Sequence, residues 1–523
     1  MAACRCLEAV VRMTGSKVHK LVLTLATTGV ATVLAFGINF FVTPLVTEKL
    51  GASAYGFITL ANTFVGYAMI VMTALSSYAT RFIAVEYHKG NQEKASCYFS
   101  TLIISGLIQS AFLFAVLALV AINIGSLMDV PENLLPDVIY LMLLVFVNFF
   151  VTMAGTFFSC AAYIKNKLDV YGIIQSISYV AEAVILIAMY STMPPMAWYY
   201  GAAILVAGIV VALGNVWIYR RYVSEIEIKV SLFSFGDLKT LLVNGVWNSV
   251  NALGNTLNSG LDLVIANLFL NAVCMGQIAI SKTFSGVFSR LFQLISQAFQ
   301  PMFLESYSQG NRKKLLEELN LSMKLSSYIS NVLFAGFLAL CPAFYRLWIP
   351  GQDLGVLYVL TMLTIVCSAA EGPVNPLYYV YTLTTKNRLP CFVTLVGGLI
   401  NVVGMVILLT YTDFGLYAVP LTTAVIMGVI NLVFNPMYIA HCLGERLTSF
   451  YPSLLRIAAS LGCMCALFGI VSSIVPNETW PSFALSALIC AFMGVFIHFA
   501  VALNGSERIA ALRRLKRKAG SSR

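Results

Sequence analysis

Apolar runs of about 20 residues recur from one end of the chain to the other, separated by short polar stretches. They fall at 21–46, 55–79, 97–124, 138–163, 170–191, 197–219, 238–267, 274–299, 325–346, 354–384, 389–411, 415–440, 453–475 and 482–504. Each is long enough to carry a helix across a hydrocarbon core of about 30 Å. The strand-like alternation over about 10 residues that marks a membrane β-barrel is absent. The pattern predicts an all-α membrane protein of about 14 transmembrane helices. No polar stretch is long enough for a separate soluble domain. Composition agrees: 59% of the 523 residues are hydrophobic and 10% charged, whereas a soluble domain carries about 25% charged residues.

Charge then orients the spans. With both termini in the cytoplasm, every lysine and arginine except Lys49, Arg346, Lys282 and Arg290 falls on the cytoplasmic side. Lys324, just before the ninth span, counts among them. That asymmetry is the positive-inside signature of a multi-pass plasma-membrane protein. The net charge of +10 is spread over short loops. It is therefore no nucleic-acid footprint, and the basic tail at 506–523 is expected to meet membrane lipid.

The chain also repeats itself at an offset of 220 residues. Gly56, Ile58, Thr63, Phe64, Gly66, Ser76, Tyr87, Gly90, Asn91 and Lys94 match Gly276, Ile278, Thr283, Phe284, Gly286, Ser296, Tyr307, Gly310, Asn311 and Lys314. The repeat predicts two six-helix lobes related by a pseudo-two-fold axis along the membrane normal, followed by two C-terminal helices. The lobes run 1–220 and 238–440, with a cytoplasmic linker at 221–237 and spans thirteen and fourteen within 441–505. Such a duplication suits alternating access, with a substrate site expected at mid-membrane where the lobes face each other.

Five ionisable residues lie well inside spans: Glu182, Asp262, Lys282, Arg290 and Glu371. Each costs at least about 2.5–3.5 kcal/mol to insert, so each needs a partner or a wet cavity. Lys282 and Arg290 are separated on one helix by about 12 Å of rise and about 80° of rotation. They are candidates for binding an anionic, phosphate-bearing substrate. Pairing with Asp262 or Glu371, or snorkelling to the surface, is the structural alternative. Glu371 precedes Pro373 and Pro376, which are expected to break or kink span ten. Glu371, Asp262 and Glu182 are candidates for ion coupling or charge balance. Tyr378, Tyr379 and Tyr381 form an aromatic cluster; Tyr378 and Tyr381 are candidates for stacking on sugar rings.

Other chemistry has no foothold. There is no GxxxxGK[ST], HExxH or GxSxG, so no enzyme, cofactor or metal site is expected. Most of the 12 cysteines sit in apolar runs as packing residues.

Two stretches carry a family resemblance. Phe41-Val-Thr-Pro-Leu-Val-Thr-Glu-Lys-Leu-Gly-Ala-Ser-Ala-Tyr-Gly56 resembles the opening of polysaccharide repeat-unit (O-antigen-type) flippases, a branch of the multidrug/oligosaccharidyl-lipid/polysaccharide exporter superfamily. Asp262-Leu-Val-Ile-Ala-Asn, with the Gly276 region after it, is similar to that family's second-lobe opening. The resemblance implies two lobes with twelve or fourteen spans. It implies flipping of a polyprenyl-diphosphate-linked oligosaccharide across the bacterial inner membrane for surface polysaccharide synthesis, with a polysaccharide polymerase as candidate partner. Lys282 and Arg290 would face the diphosphate. A cation-coupled multidrug exporter and a peptidoglycan lipid II flippase are the alternatives. The first usually carries an acid in its first lobe, and spans one to four hold none. The second carries several arginines in its first two spans, where only Arg81 is found.

Overall fold

The computed structural model describes residues 2–505 and 507–509. Among them every regular element is helical and there is no strand. Nearly all of the basic tail, from 510 onward, lies outside the described residues. By packing, the chain divides into two compact units, 1–256 with 271–276 and 257–270 with 277–523.

The first unit contains α1 (Ala2–His88), α2 (Gln92–Ile122), a short α3 (Ile124–Leu127) and α4 (Leu135–Thr156). A 3-10 turn at Phe157–Ser159 leads into α5 (Cys160–Ile164), followed by α6 (Leu168–Thr192), α7 (Trp198–Tyr222) and most of α8 (Phe235–Ser259). The expected linker at 221–237 and most of the seventh span thus pack with this unit. Helix α1 is not one rod. Gly51 adopts φ 85° and ψ 172°, a conformation that favours glycine. Twelve residues of straight helix span about 18 Å, yet the Thr43 hydroxyl donates to the Tyr55 hydroxyl at 3.1 Å. The chain therefore folds back at Gly51, and the first and second expected spans lie on either side of it.

The second unit contains α9 (Asp262–Phe269), most of α10 (Ala272–Ser308), α11 (Arg312–Trp348) and α12 (Leu354–Val374). A 3-10 turn at Asn375–Tyr378 leads into α13 (Tyr379–Leu383). After α14 (Arg388–Tyr411) come α15 (Ala418–Val429), a π-helical turn at Ile430–Phe434, α16 (Asn435–Leu443), α17 (Tyr451–Ile474) and α18 (Trp480–Val501). Among the described residues, 11 helices are long and apolar enough to cross a membrane. One of these is the folded-back 26–88 stretch. Helices α8 and α10 are not among the 11, because polar side chains interrupt them: Asn244, Asn248, Asn251 and Asn255 in α8, and Gln277, Lys282, Arg290 and Gln293 in α10.

The repeat runs much further in structure than in sequence. Helices α6 and α14 start at 168 and 388, α7 and α15 at 198 and 418. The 3-10 breaks at 157–159 and 375–378 fall at nearly equivalent places. Asn91 and Asn311 each cap a helix, accepting from the N–H of Lys94 and Lys314 at 3.1 Å. Each follows a left-handed glycine, Gly90 and Gly310.

Two repeat-related glycines also touch. A Cβ on Gly56 would meet the Gly276 Cα at 2.9 Å, and a Cβ on Gly276 would meet the Ala52 carbonyl oxygen at 2.1 Å. Only bare backbone fits there. Gly276→Ala is therefore expected to lower stability by about 1–3 kcal/mol. Gly286→Ala, with nothing within 4 Å of its would-be Cβ, is expected to raise helix stability by about 0.5–1 kcal/mol. Thermal unfolding midpoints in detergent check the opposite signs.

Candidate functional site

The seventh expected span does not run through. It stops at Ser259, crosses Gly260 and Leu261, and restarts as α9 at Asp262. A helix end leaves carbonyl groups unpaired and carries partial negative charge, whereas the next helix start favours an acid. Lys282 from α10 satisfies both requirements. Its ammonium donates to the Ser259 carbonyl and to Asp262 Oδ2 at 2.7 Å. Asp262 Oδ1 is buried without a hydrogen-bond partner. The side chains are 21% exposed for Lys282 and 5% for Asp262. An ammonium has three donors; two are engaged here, and a fifth of the side chain is exposed. Pairing with Asp262, the structural alternative of the sequence reading, is what the geometry displays. Arg290, two turns further along the same helix, is exposed.

Glu371 lies on the neighbouring α12, where a polar ladder replaces the helix interior. It accepts from Ser289 Oγ at 3.2 Å and from Asn375 Nδ2 at 3.0 Å. Ser296 donates to Asn375 Oδ1 at 2.8 Å. The helix breaks where the prolines stand: α12 contains Pro373 and ends at Val374, and Pro376 lies in the 3-10 turn. Pro376 has no N–H for the Gly372 carbonyl. The Ser326 hydroxyl takes that carbonyl at 2.7 Å. Gly372 is required for the approach, because a Cβ there would meet Ser330 Cβ at 2.4 Å.

The tyrosines are committed elsewhere. Tyr378 and Tyr381 donate to Asn431 and Asn435, both at 2.8 Å. Tyr378 thereby ties the 3-10 turn to the π-helical turn, and Tyr381 ties α13 to α16. Tyr381 is 7% exposed within an apolar cluster with Phe303, Leu377 and Ile439. It has no open ring face for a sugar in this conformation, whereas Tyr378 and Tyr379 are partly buried. Glu182 is buried in α6 of the first unit, and no ion pair reaches it among the described residues.

Sequence reasoning missed several participants. Ser259, Ser289, Ser296 and Asn375 carry no charge and no motif. Lys324, near the start of the ninth expected span, stands inside α11, is 1% exposed and pairs with Glu507 at 2.8 Å, a partner that its sequence neighbours do not announce. A mostly apolar groove of about 510 Å³ lies in the first unit between Val30 and Leu34 of α1 and Ile173 and Ile177 of α6.

The chain is similar to known proteins in sequence and in fold. Residues 24–307 match the model of the polysaccharide biosynthesis protein family. The uncharacterised membrane protein EpsK of Bacillus subtilis (strain 168) is 26% identical over 491 residues, covering 94% of this chain and 97% of EpsK. Among solved structures, the lipid II flippase MurJ in an inward closed conformation superposes with a TM-score of 0.64 at 14% identity, covering 90% of this chain and 98% of MurJ. An inward-facing multidrug resistance MATE family transporter gives 0.61 at 15% identity, covering 80% and 98%. The likeness to MurJ and MATE is one of fold. The chain is a multi-pass membrane protein that belongs to the polysaccharide biosynthesis protein family.

Proposed function

We propose that the protein flips a polyprenyl-diphosphate-linked oligosaccharide across the bacterial plasma membrane by alternating access, with both termini cytoplasmic. The observation that carries this reading is Lys282. It is a cation of α10 fixed by Asp262 and the end of a broken helix, with one-fifth of its side chain still open. A pair made only for packing needs no opening. Here the third N–H is left for an oxygen of the diphosphate, and Arg290 extends the positive wall toward acidic sugars or the second phosphate. Glu371 and Asp262 balance that charge or take part in ion coupling. Pro373 and Pro376 let α12 and α13 bend during the cycle. The groove between α1 and α6 offers the polyprenyl chain an apolar surface.

Arg290→Ala is compared with wild type at matched membrane protein level. Surface polysaccharide should fall by at least about tenfold in a flippase-null strain carrying the variant. Immunoblots of surface polysaccharide against membrane protein level check this. Undiminished polysaccharide would remove Arg290 from the site. If the wild-type chain instead restored drug resistance in a pump-deficient strain and gave no polysaccharide, the multidrug-exporter reading would replace this one.

A further inference from the structure

The far end of the second unit holds a polar pocket that the flipping reading does not use. It is an open depression of about 430 Å³, lined by Ala339, Pro342 and Arg346 of α11 and by Ser472, Ser473 and the 475–478 turn after α17. That volume is in the range of small-molecule sites. Pro342 removes the N–H that would have bonded the Leu338 carbonyl, and Tyr358 donates to that carbonyl at 3.1 Å. Ser472 donates to the Ala339 carbonyl at 2.8 Å and holds α17 against α11 at the pocket wall. The cavity is thus a consequence of helix geometry.

Its depth in the membrane is set by its neighbours. Helices α11 and α17 both cross the membrane by length and composition and end beside the pocket, at Trp348 and Ile474. Phe344, Trp348, Trp480 and Phe483 form a ring cluster there, with Phe344 to Trp348 centroids at 5.1 Å and Phe344 to Trp480 at 6.1 Å. Tryptophan clusters at helix ends mark the headgroup layer.

The chemistry of the lining is mixed. Arg346 supplies a guanidinium and Glu478 a carboxylate, and neither forms an ion pair among the described residues. Asn477 is 8% exposed; its Nδ2 donates to the Val475 carbonyl at 2.9 Å. Its Oδ1 is buried without a partner. One guanidinium and one carboxylate, both exposed at the pocket, complement a ligand that carries a phosphate and an ammonium together. We infer that this pocket binds the phosphate–ammonium headgroup of a zwitterionic phospholipid. Arg346 takes the phosphate, while Glu478 takes the ammonium.

Native mass spectrometry of the full chain tests this, after purification from nanodiscs of equal parts phosphatidylethanolamine, phosphatidylglycerol and phosphatidylcholine. Phosphatidylethanolamine should be retained over both others. Phosphatidylcholine has the phosphate and positive charge but no N–H to donate. Arg346→Ala and Glu478→Gln, both at exposed positions, should each cut that retention by about tenfold. Surface polysaccharide in the flippase-null strain keeps this outcome separate from the flipping reading. Equal retention of the three lipids, preference for phosphatidylglycerol, or retention unchanged in both variants would overturn the inference.

Discussion

Methionine at position 282 is expected to do two separable kinds of damage. It leaves the Asp262 carboxylate, 5% exposed, without its cation, and it frees the Ser259 carbonyl at the end of α8. Removing one partner of a buried pair costs about 3–5 kcal/mol. Lys282 is itself one-fifth exposed, so the lower end, about 3 kcal/mol, is expected. The result should read as lowered membrane protein level and a lower unfolding midpoint. Adding Asp262→Asn removes the stranded charge and should recover most of that stability. It should not recover polysaccharide if the ammonium binds the diphosphate. Recovery of both by the double variant would assign Lys282 to structure alone.

A loss at least as large is expected at Lys324, although it lies outside the proposed site. This lysine is 1% exposed and its ammonium meets both oxygens of Glu507, at 2.9 and 2.8 Å. Its own carbonyl is 2.7 Å from His498 Nε2. A carbonyl only accepts, so Nε2 carries the proton and Nδ1 accepts from Ser460 Oγ at 3.2 Å. Glu507 also accepts the N–H of Asn504 at 2.7 Å. The pair therefore fastens the chain just beyond α18 onto α11. Lys324→Met should cost about 3–5 kcal/mol, measured as the unfolding midpoint in detergent. Lys324→Met with Glu507→Gln should regain part of it. A Lys324→Met midpoint equal to wild type would show that the pair has no such weight.

The sequence was most legible where physics leaves a periodic trace. Apolar length marks the helices, and the polar stretch Thr47-Glu48-Lys49 separates spans one and two, which the structure joins in α1 with the fold-back at Gly51. The repeat was visible through ten matched residues, but its extent was not. Helices α7 and α15 share a register of 220 residues with few shared side chains, because backbone geometry persists where packing residues drift. Prolines announced the 3-10 break after α12. The matching break at Phe157–Ser159 has no proline, so nothing in composition signalled it.

The charges inside the spans were visible one by one, but their partners were not. Lys282 and Asp262 are 20 residues apart, and only the break at Gly260 brings the Ser259 carbonyl to the same ammonium. A single glycine in a helical run reads as a tolerated weakness rather than as a stop. Tyr378 and Tyr381 looked available because tyrosines suit sugars. Asn431 and Asn435, which hold them, carry no signal of pairing across 53 and 54 residues. Lys324 looked like a loop cation because it follows Arg312, Lys313 and Lys314, and its acid lies 183 residues away.

The decisive measurement is movement of the lipid itself. The purified chain is placed in liposomes holding a polyprenyl-diphosphate oligosaccharide with a fluorescent headgroup, and a membrane-impermeant quencher reports the leaflet. Wild-type protein should expose inner-leaflet headgroups to the quencher, while the folded Lys282→Met, Asp262→Asn double variant should match empty liposomes. Transfer by the double variant at the wild-type rate, or none by the wild type under an imposed ion gradient of either sign, would contradict a lysine-centred passage for a diphosphate lipid.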